Sequence, residues 1–184
     1  ERKNVGIRIK NAATNYYKSI GREADLQGYN WEFNLLEDKQ LNAWCMPGGK
    51  VAFYTGIMPV CKDETGIAVV MGHEVSHALA GHGNERISQA MIAQYGGAIA
   101  GGVISNDKLQ QIFKVAYPIG AQVALLKYGR SQELEADQMG LYIMAMAGYD
   151  PRQSLPFWER REAQAATSQR PPEFLSTHPS PDTR

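Results

Sequence analysis

The chain carries His73-Glu74-Val75-Ser76-His77, two histidines four residues apart with a glutamate directly after the first. On a helix, side chains at i and i+4 share one face, with Cβ atoms about 5–6 Å apart. Two imidazoles so placed can converge on one tetrahedral zinc ion at roughly 2.0–2.1 Å each. Glu74 lies about 100° further round the helix. That is too far to join the same coordination, yet near enough to take a proton from a water held there. Zinc lowers the pKa of such a water towards about 7, which makes a nucleophile available at neutral pH. The bland alternative is a solvated histidine pair on an ordinary surface helix. It sits poorly with Val69, Val70, Met71, Val75 and Leu79, which make this helix otherwise apolar.

Catalytic zinc keeps three protein ligands and one open position, so a third ligand is required. A metzincin would place Gly three residues past the second histidine and another His three beyond that. Those positions hold Ala80 and Gly83, and His82 falls one residue early. A carboxylate from a later helix remains. The run Ser131-Gln132-Glu133-Leu134-Glu135-Ala136-Asp137 offers Glu133 and Asp137 on one face. Glu133 can then bind the metal while Asp137 accepts the free N–H of a ligand histidine, which fixes the ring. Ala136 and Gly140 share that face, as close approach of two helices requires. Glu135 is about 200° from Glu133 and is expected to point elsewhere, as an acid favouring a helix N-terminus. His82 reads as structural.

The elements that must position these groups are mostly helices. Val5, Ile9, Ala12, Tyr16 and Ile20 recur at helical spacing and predict an amphipathic helix over the first twenty residues. Trp31, Phe33 and Leu35 alternate with polar neighbours, the period of a half-buried strand. Asn42 to Met46 reads as a second strand, Pro47-Gly48-Gly49 as a turn and Lys50 to Tyr54 as a third strand, together a meander. A helix from about Asp63 to a cap at Gly81 carries the two histidines. Residues 84–128 read as mostly helical. Gly96, Gly97, Gly101 and Gly102 there serve either a mobile cover or a close helix contact. Further helices are expected from about Ser131 to Ala147, closed by Gly148, and from Asp150-Pro151 to about Ala166. After Arg170 the chain is Pro-rich, and about 171–184 is expected to be extended. Residues 1–184 thus read as one α+β domain, helices dominant, with a small three-stranded sheet.

Charge and composition exclude several classes. Nineteen basic and nineteen acidic residues cancel, with a pI near 7.2, so nothing argues for nucleic acid or an anionic membrane surface. No run of about 18 apolar residues occurs, so no transmembrane segment is expected. The sequence opens at Glu1 with neither initiator Met nor signal sequence. This reads as a mature or trimmed chain without its address label. Cys45 and Cys61 are either one disulfide or two thiols; lacking CxxC spacing and nearby histidines, they are not expected to bind zinc.

HExxH on one helix with ExxxD on a later one is the gluzincin pattern. Taken with Asn42-Ala43-Trp44 before Pro47-Gly48-Gly49 and with the string His73 to His82, it resembles the HtpX/Ste24-type zinc metallopeptidases. The resemblance covers roughly residues 40–184 and is nearest to the soluble BepA, LoiP and Oma-like branch. It implies a zincin-like domain with one zinc per chain on His73, His77 and Glu133, and with Glu74 as catalytic base. No GxMEN-like exopeptidase string is present, so an endopeptidase acting on polypeptides is expected. The resemblance also makes Asn42, Ala43 and Trp44 part of an edge strand along which substrate lies, by β-augmentation. An ordinary edge strand with a buried Trp44 is the other reading. His178-Pro179, with Arg184 six residues after the His, resembles the family's C-terminal element. It makes His178 either an additional zinc ligand in a latent state or a donor to the oxyanion, against a merely solvated tail histidine. Misfolded or unassembled envelope proteins are the implied substrates. The implied address is the bacterial cell envelope, periplasmic or outer-membrane associated, with room for assembly at a membrane. Two rival classes stand beside this one: a zinc-bearing chaperone-like or adaptor module with little turnover, and a helical scaffold whose HExxH is accidental.

Overall fold

The computed structural model describes residues 2–89, 107, 128–167 and 178. The glycine-rich stretch 96–102, most of the expected helical region 84–128 and the Pro-rich segment 171–184 apart from His178 lie outside the described residues. Helix α1 (Arg2–Ser19) buries Val5, Ile9, Ala12, Ala13 and Tyr17. Its polar reach fixes it to two other helix ends. The Tyr17 hydroxyl donates to the Leu79 carbonyl (3.1 Å), and Arg8 Nε donates to the Ala147 carbonyl (2.9 Å).

Three strands follow: β1 (Glu32–Leu36), β2 (Ala43–Met46) and β3 (Lys50–Tyr54). They do not form the expected meander. The order is β1-β3-β2, with β1 parallel and β2 antiparallel to β3. The reason lies in where burial is needed. Val51, Ala52 and Phe53 are all buried, so β3 takes the centre. Strand β1 leaves Leu35 and Leu36 exposed and serves as an edge. Backbone and side-chain bonds pin it there at both ends. Asn30 and Glu32 donate to the carbonyls of Gly48 and Gly49, while Gly56 N–H donates to the Asp38 carbonyl, which also accepts from the Thr55 hydroxyl. Trp31 and Phe33 keep the half-buried character that the alternation predicts, Phe33 packing against α1 at Gly6, while Leu35 does not. The other edge is β2.

Helix α3 (Glu64–Leu79), preceded by the short α2 (Met58–Cys61), starts at an Asp63 cap whose carboxylate accepts from Gly66 N–H. Every residue from Gly66 to His77 is buried, so α3 is the central helix of the described residues. It ends as its sequence requires, with Gly81 in the left-handed region at φ 73°, a conformation that glycine adopts without a Cβ penalty. Residues 82–89 are again helical. Helix α4 (Arg130–Met146) packs along α3 and closes at Gly148 (φ 86°). Asp150 caps the turn that leads into α5 (Ser154–Ala166), its carboxylate accepting from Arg152 N–H. Cys45 and Cys61 are free thiols, and burial pushes Cys61 up to about 12.

No helix among the described residues is long and apolar enough to cross a membrane.

Candidate metal centre

Two glycines decide how near the helices stand. A Cβ on Gly140 would lie 3.0 Å from the His73 backbone nitrogen, and one on Gly72 would lie 3.0 Å from the Gly140 carbonyl oxygen. Backbone contacts this tight let short side chains meet across the seam. Ala136, fully buried, shares the face.

Across that seam His73 and His77 from α3 meet Glu133 from α4. His73 Nε2 and His77 Nε2 are 3.1 Å apart. Glu133 Oε1 is 3.0 Å from His77 Nε2, and Glu133 Oε2 is 3.5 Å from His73 Nε2. His178 completes the group, its Nδ1 lying 3.3 Å from His73 Nε2 and 2.9 Å from Glu133 Oε1. All four residues are buried, and one donor atom from each lies within 4.8 Å of the others. Ligands about 2.0–2.1 Å from a tetrahedral centre stand about 3.3 Å from one another. The observed separations scatter about that edge length, and three imidazoles with one carboxylate are a donor set that suits zinc.

The electrostatics agree with ligation. Burial drives His77 well below the ordinary imidazole value against the pull of Glu133, and burial likewise lowers His178 to about 4. Burial would raise the Glu133 carboxyl, but hydrogen bonds from His178 and His77 and the nearby His73 outweigh it and hold it well below the usual range. Neutral imidazoles beside an ionised carboxylate are the forms that bind a metal.

Around the four lie the supporting groups. Asp137 Oδ1 is 2.9 Å from His73 Nδ1, and Trp158 of α5 stands edge-on to the same ring at 5.3 Å. Glu74 is buried outside the four, with its Oε1 3.4 Å from His178 Nε2. The Tyr128 ring stacks on His77 at 3.7 Å and in turn lies under the Arg86 guanidinium at 3.5 Å. Arg161, buried in α5, donates to the His178 carbonyl (2.9 Å). Ala43 and Trp44 stand on the β2 edge, which packs beside α3, and Asn42 precedes it with its side-chain oxygen accepting from Ala43 N–H.

Two expectations change here. Glu135 does turn away from the four, but it lies 3.1 Å from His82, whose other nitrogen is 2.9 Å from His77. His82 is therefore part of the site's surroundings. The sequence carries no signal for Tyr128, Arg86, Trp158 and Arg161: no spacing rule links them to His73 or His77, and only tertiary packing brings them in.

The model of peptidase family M48 matches residues 9–184 of the chain. The chain belongs to this family. M48 relatives include the mitochondrial metalloendopeptidase OMA1 of Schizosaccharomyces pombe, 34% identical over 91% of this chain and 48% of its own length. OMA1 of Saccharomyces cerevisiae is 33% identical, covering 98% of this chain and 52% of its own. The β-barrel assembly-enhancing protease of Escherichia coli is 28% identical over 93% of this M48 chain and 37% of its own length. The chain thus spans about half the length of the yeast relatives it matches. Their names overturn the expected bacterial-envelope address: the OMA1 relatives, at higher identity than the E. coli protein, are mitochondrial.

Proposed function

We propose that the chain is the catalytic domain of a zinc endopeptidase, with His73, His77 and Glu133 as the protein ligands and Glu74 as the base. The observation that carries this reading is the meeting of those three donor groups at tetrahedral separations, with the buried Glu74 carboxylate 3.4 Å from Nε2 of the neighbouring His178. Zinc bound there supplies Lewis-acid polarisation of the scissile carbonyl and acidifies water. The chain's own residues do the rest. Glu74 takes the proton of the attacking water and delivers it to the leaving amine. Asp137, accepting from His73 Nδ1–H, holds that ring's Nε2 towards the ion. His178, whose Nδ1 stands 3.3 Å from His73 Nε2 and 2.9 Å from Glu133 Oε1, would fill the ion's remaining position and hold the site at rest; once withdrawn, its imidazole would donate to the oxyanion.

Substrate is proposed to lie along β2. Tyr54 N–H donates to the Asn42 carbonyl, and hydrogen-bonded pairs alternate along an antiparallel ladder. Trp44 therefore spends its backbone groups on β3, while Cys45 turns its N–H and carbonyl, and Ala43 its carbonyl, to the edge that no described strand pairs; the Ala43 N–H is held by the Asn42 side-chain oxygen. An extended peptide adds there by β-augmentation, reading backbone more than sequence. That mode suits unfolded or unassembled proteins, and the name of the E. coli relative, a protease that enhances β-barrel assembly, supports that substrate class.

Digestion of an unstructured protein such as casein, with and without chelator, on wild type and Glu74→Gln side by side, tests the reading. Proteolysis that needs the metal and disappears in a Glu74→Gln protein still holding about one zinc per chain supports it. Unchanged digestion by Glu74→Gln, or by the chelated enzyme, overturns it. Zinc retained without digestion by any form favours the adaptor.

A further inference from the structure

His77 and His82 face each other through their Nδ1 atoms at 2.9 Å, and His82 Nε2 lies 3.1 Å from Glu135 Oε2. Neither His82 nor Glu135 belongs to the group of four donors. Local geometry explains how His82 arrives. The left-handed turn at Gly81 reverses the chain just after α3 and folds the next side chain back on the last turn. Gln132 Nε2, donating to Glu85 Oε2 at 2.5 Å, ties the following helical residues to the start of α4, where Glu135 sits. His82 is buried at 2% exposure, whereas the Glu135 side chain is 59% exposed.

The protons on this chain of contacts have one consistent arrangement once His77 binds a metal through Nε2. The His77 proton must then sit on Nδ1, which can only donate. His82 Nδ1 must accept it, so the His82 proton sits on Nε2, where the Glu135 carboxylate receives it. A histidine ligand usually donates its second N–H to a carboxylate, a carbonyl or water. His73 has a carboxylate directly beside that nitrogen, Asp137 Oδ1 lying 2.9 Å from Nδ1. For His77 the carboxylate stands one imidazole further away.

We propose that His82 and Glu135 are positioning residues that set the tautomer and orientation of His77 and so tune its affinity for the ion. The proposal rests on the zinc site proposed above. With it, three acids within five residues of one helix divide the centre among them: Glu133 for the ion, Asp137 for His73, and Glu135, through His82, for His77.

The test measures zinc dissociation constants on the full chain by competition with a chromophoric chelator, together with visible spectra of the cobalt(II)-substituted proteins. His82→Ala should weaken zinc binding about 10- to 100-fold, the usual cost of losing such a partner, and should alter the cobalt spectrum. His82→Asn, whose side-chain oxygen stands about where Nδ1 stood, should recover most of the affinity. Glu135→Ala, at an exposed position that leaves folding intact, should weaken binding a few-fold and keeps the test decisive if His82→Ala does not fold. Wild-type affinity and an unchanged cobalt spectrum in Glu135→Ala and His82→Ala overturn the relay, as does a His82→Asn protein no better than His82→Ala. A wild-type chain that binds no zinc overturns the metal site itself, and the relay with it.

Discussion

Gly140 of α4 stands against the backbone of His73, so closely that a methyl group there would require the main chain to give by a few tenths of an ångström. The atoms a Cβ would meet are His73 N at 3.0 Å, Gly72 C at 3.1 Å and His73 Cα at 3.2 Å, all main chain and none able to swing aside. The separation of α3 and α4, and hence the reach of Glu133 to the two histidines, is set at this point.

Gly140→Ala therefore pits two effects against each other. Replacing Gly by Ala inside a helix gains about 1 kcal/mol in propensity, while forcing a methyl into a closed seam costs about 1–3 kcal/mol. The contact should win, giving a net loss in denaturant unfolding and a lowered zinc content. A Gly140→Ala chain more stable than wild type by about 1 kcal/mol, with zinc retained, would show that the seam yields.

The metal-free chain should be sensitive to mild acid. His77 and His178 both have depressed values in the fold, His178 at about 4, chiefly through burial. The unfolded chain, with ordinary imidazoles near 6.5, binds these protons first. Stability is thus fully present above about 6.5 and is lost as pH falls towards 4. Each histidine that stays neutral adds a slope of up to about 1.4 kcal/mol per pH unit. Glu133, also depressed, adds a loss of the same sign at lower pH. Denaturant titrations of the apo-protein at several pH values should show this slope, and it should shrink in His178→Gln.

Strand β2 allows a paired test of substrate docking. Cys45→Pro removes an N–H that faces the open edge, where proline is tolerated. Trp44→Pro removes one that bonds β3. The first should raise KM a few-fold to about tenfold, the worth of one main-chain hydrogen bond, with little change in the unfolding midpoint. The second should lower that midpoint. Equal KM values for Cys45→Pro and wild type would mean that substrate does not pair with this edge.

His178→Ala should weaken zinc binding by removing the group at the fourth corner and should lower turnover by about 100-fold or more through the lost oxyanion donor. Equilibrium dialysis and peptide hydrolysis read the two effects separately. If neither moves, His178 is a bystander.

The parts of the centre legible in the sequence are those that helical periodicity converts directly into direction. His73 with His77, and Glu133 with Asp137, are i, i+4 pairs, and Ala136 with Gly140 marked the face where two helices come close. Caps at Gly81, Gly148 and Asp150 are legible for the same reason, since each is a local bond or a local φ. Relations that depend on the route of the chain were not. Which strand takes the centre of the sheet follows from the buried trio Val51, Ala52 and Phe53, and alternation in β1 says nothing about its neighbour. His82 meets His77 because a glycine turn folds it back, and meets Glu135 across 53 residues of sequence. A histidine placed directly after the capping glycine of a ligand-bearing helix was the one available hint.

Glu133, Glu135 and Asp137 occupy alternate positions within five consecutive residues, and each faces a different partner in one constellation. The winding of α4 consequently behaves like a reading frame. One residue gained or lost between Glu133 and Asp137 swings a carboxylate about 100° out of reach, and the errors cannot be repaired one side chain at a time. This stretch of the chain can exchange letters but cannot change its length.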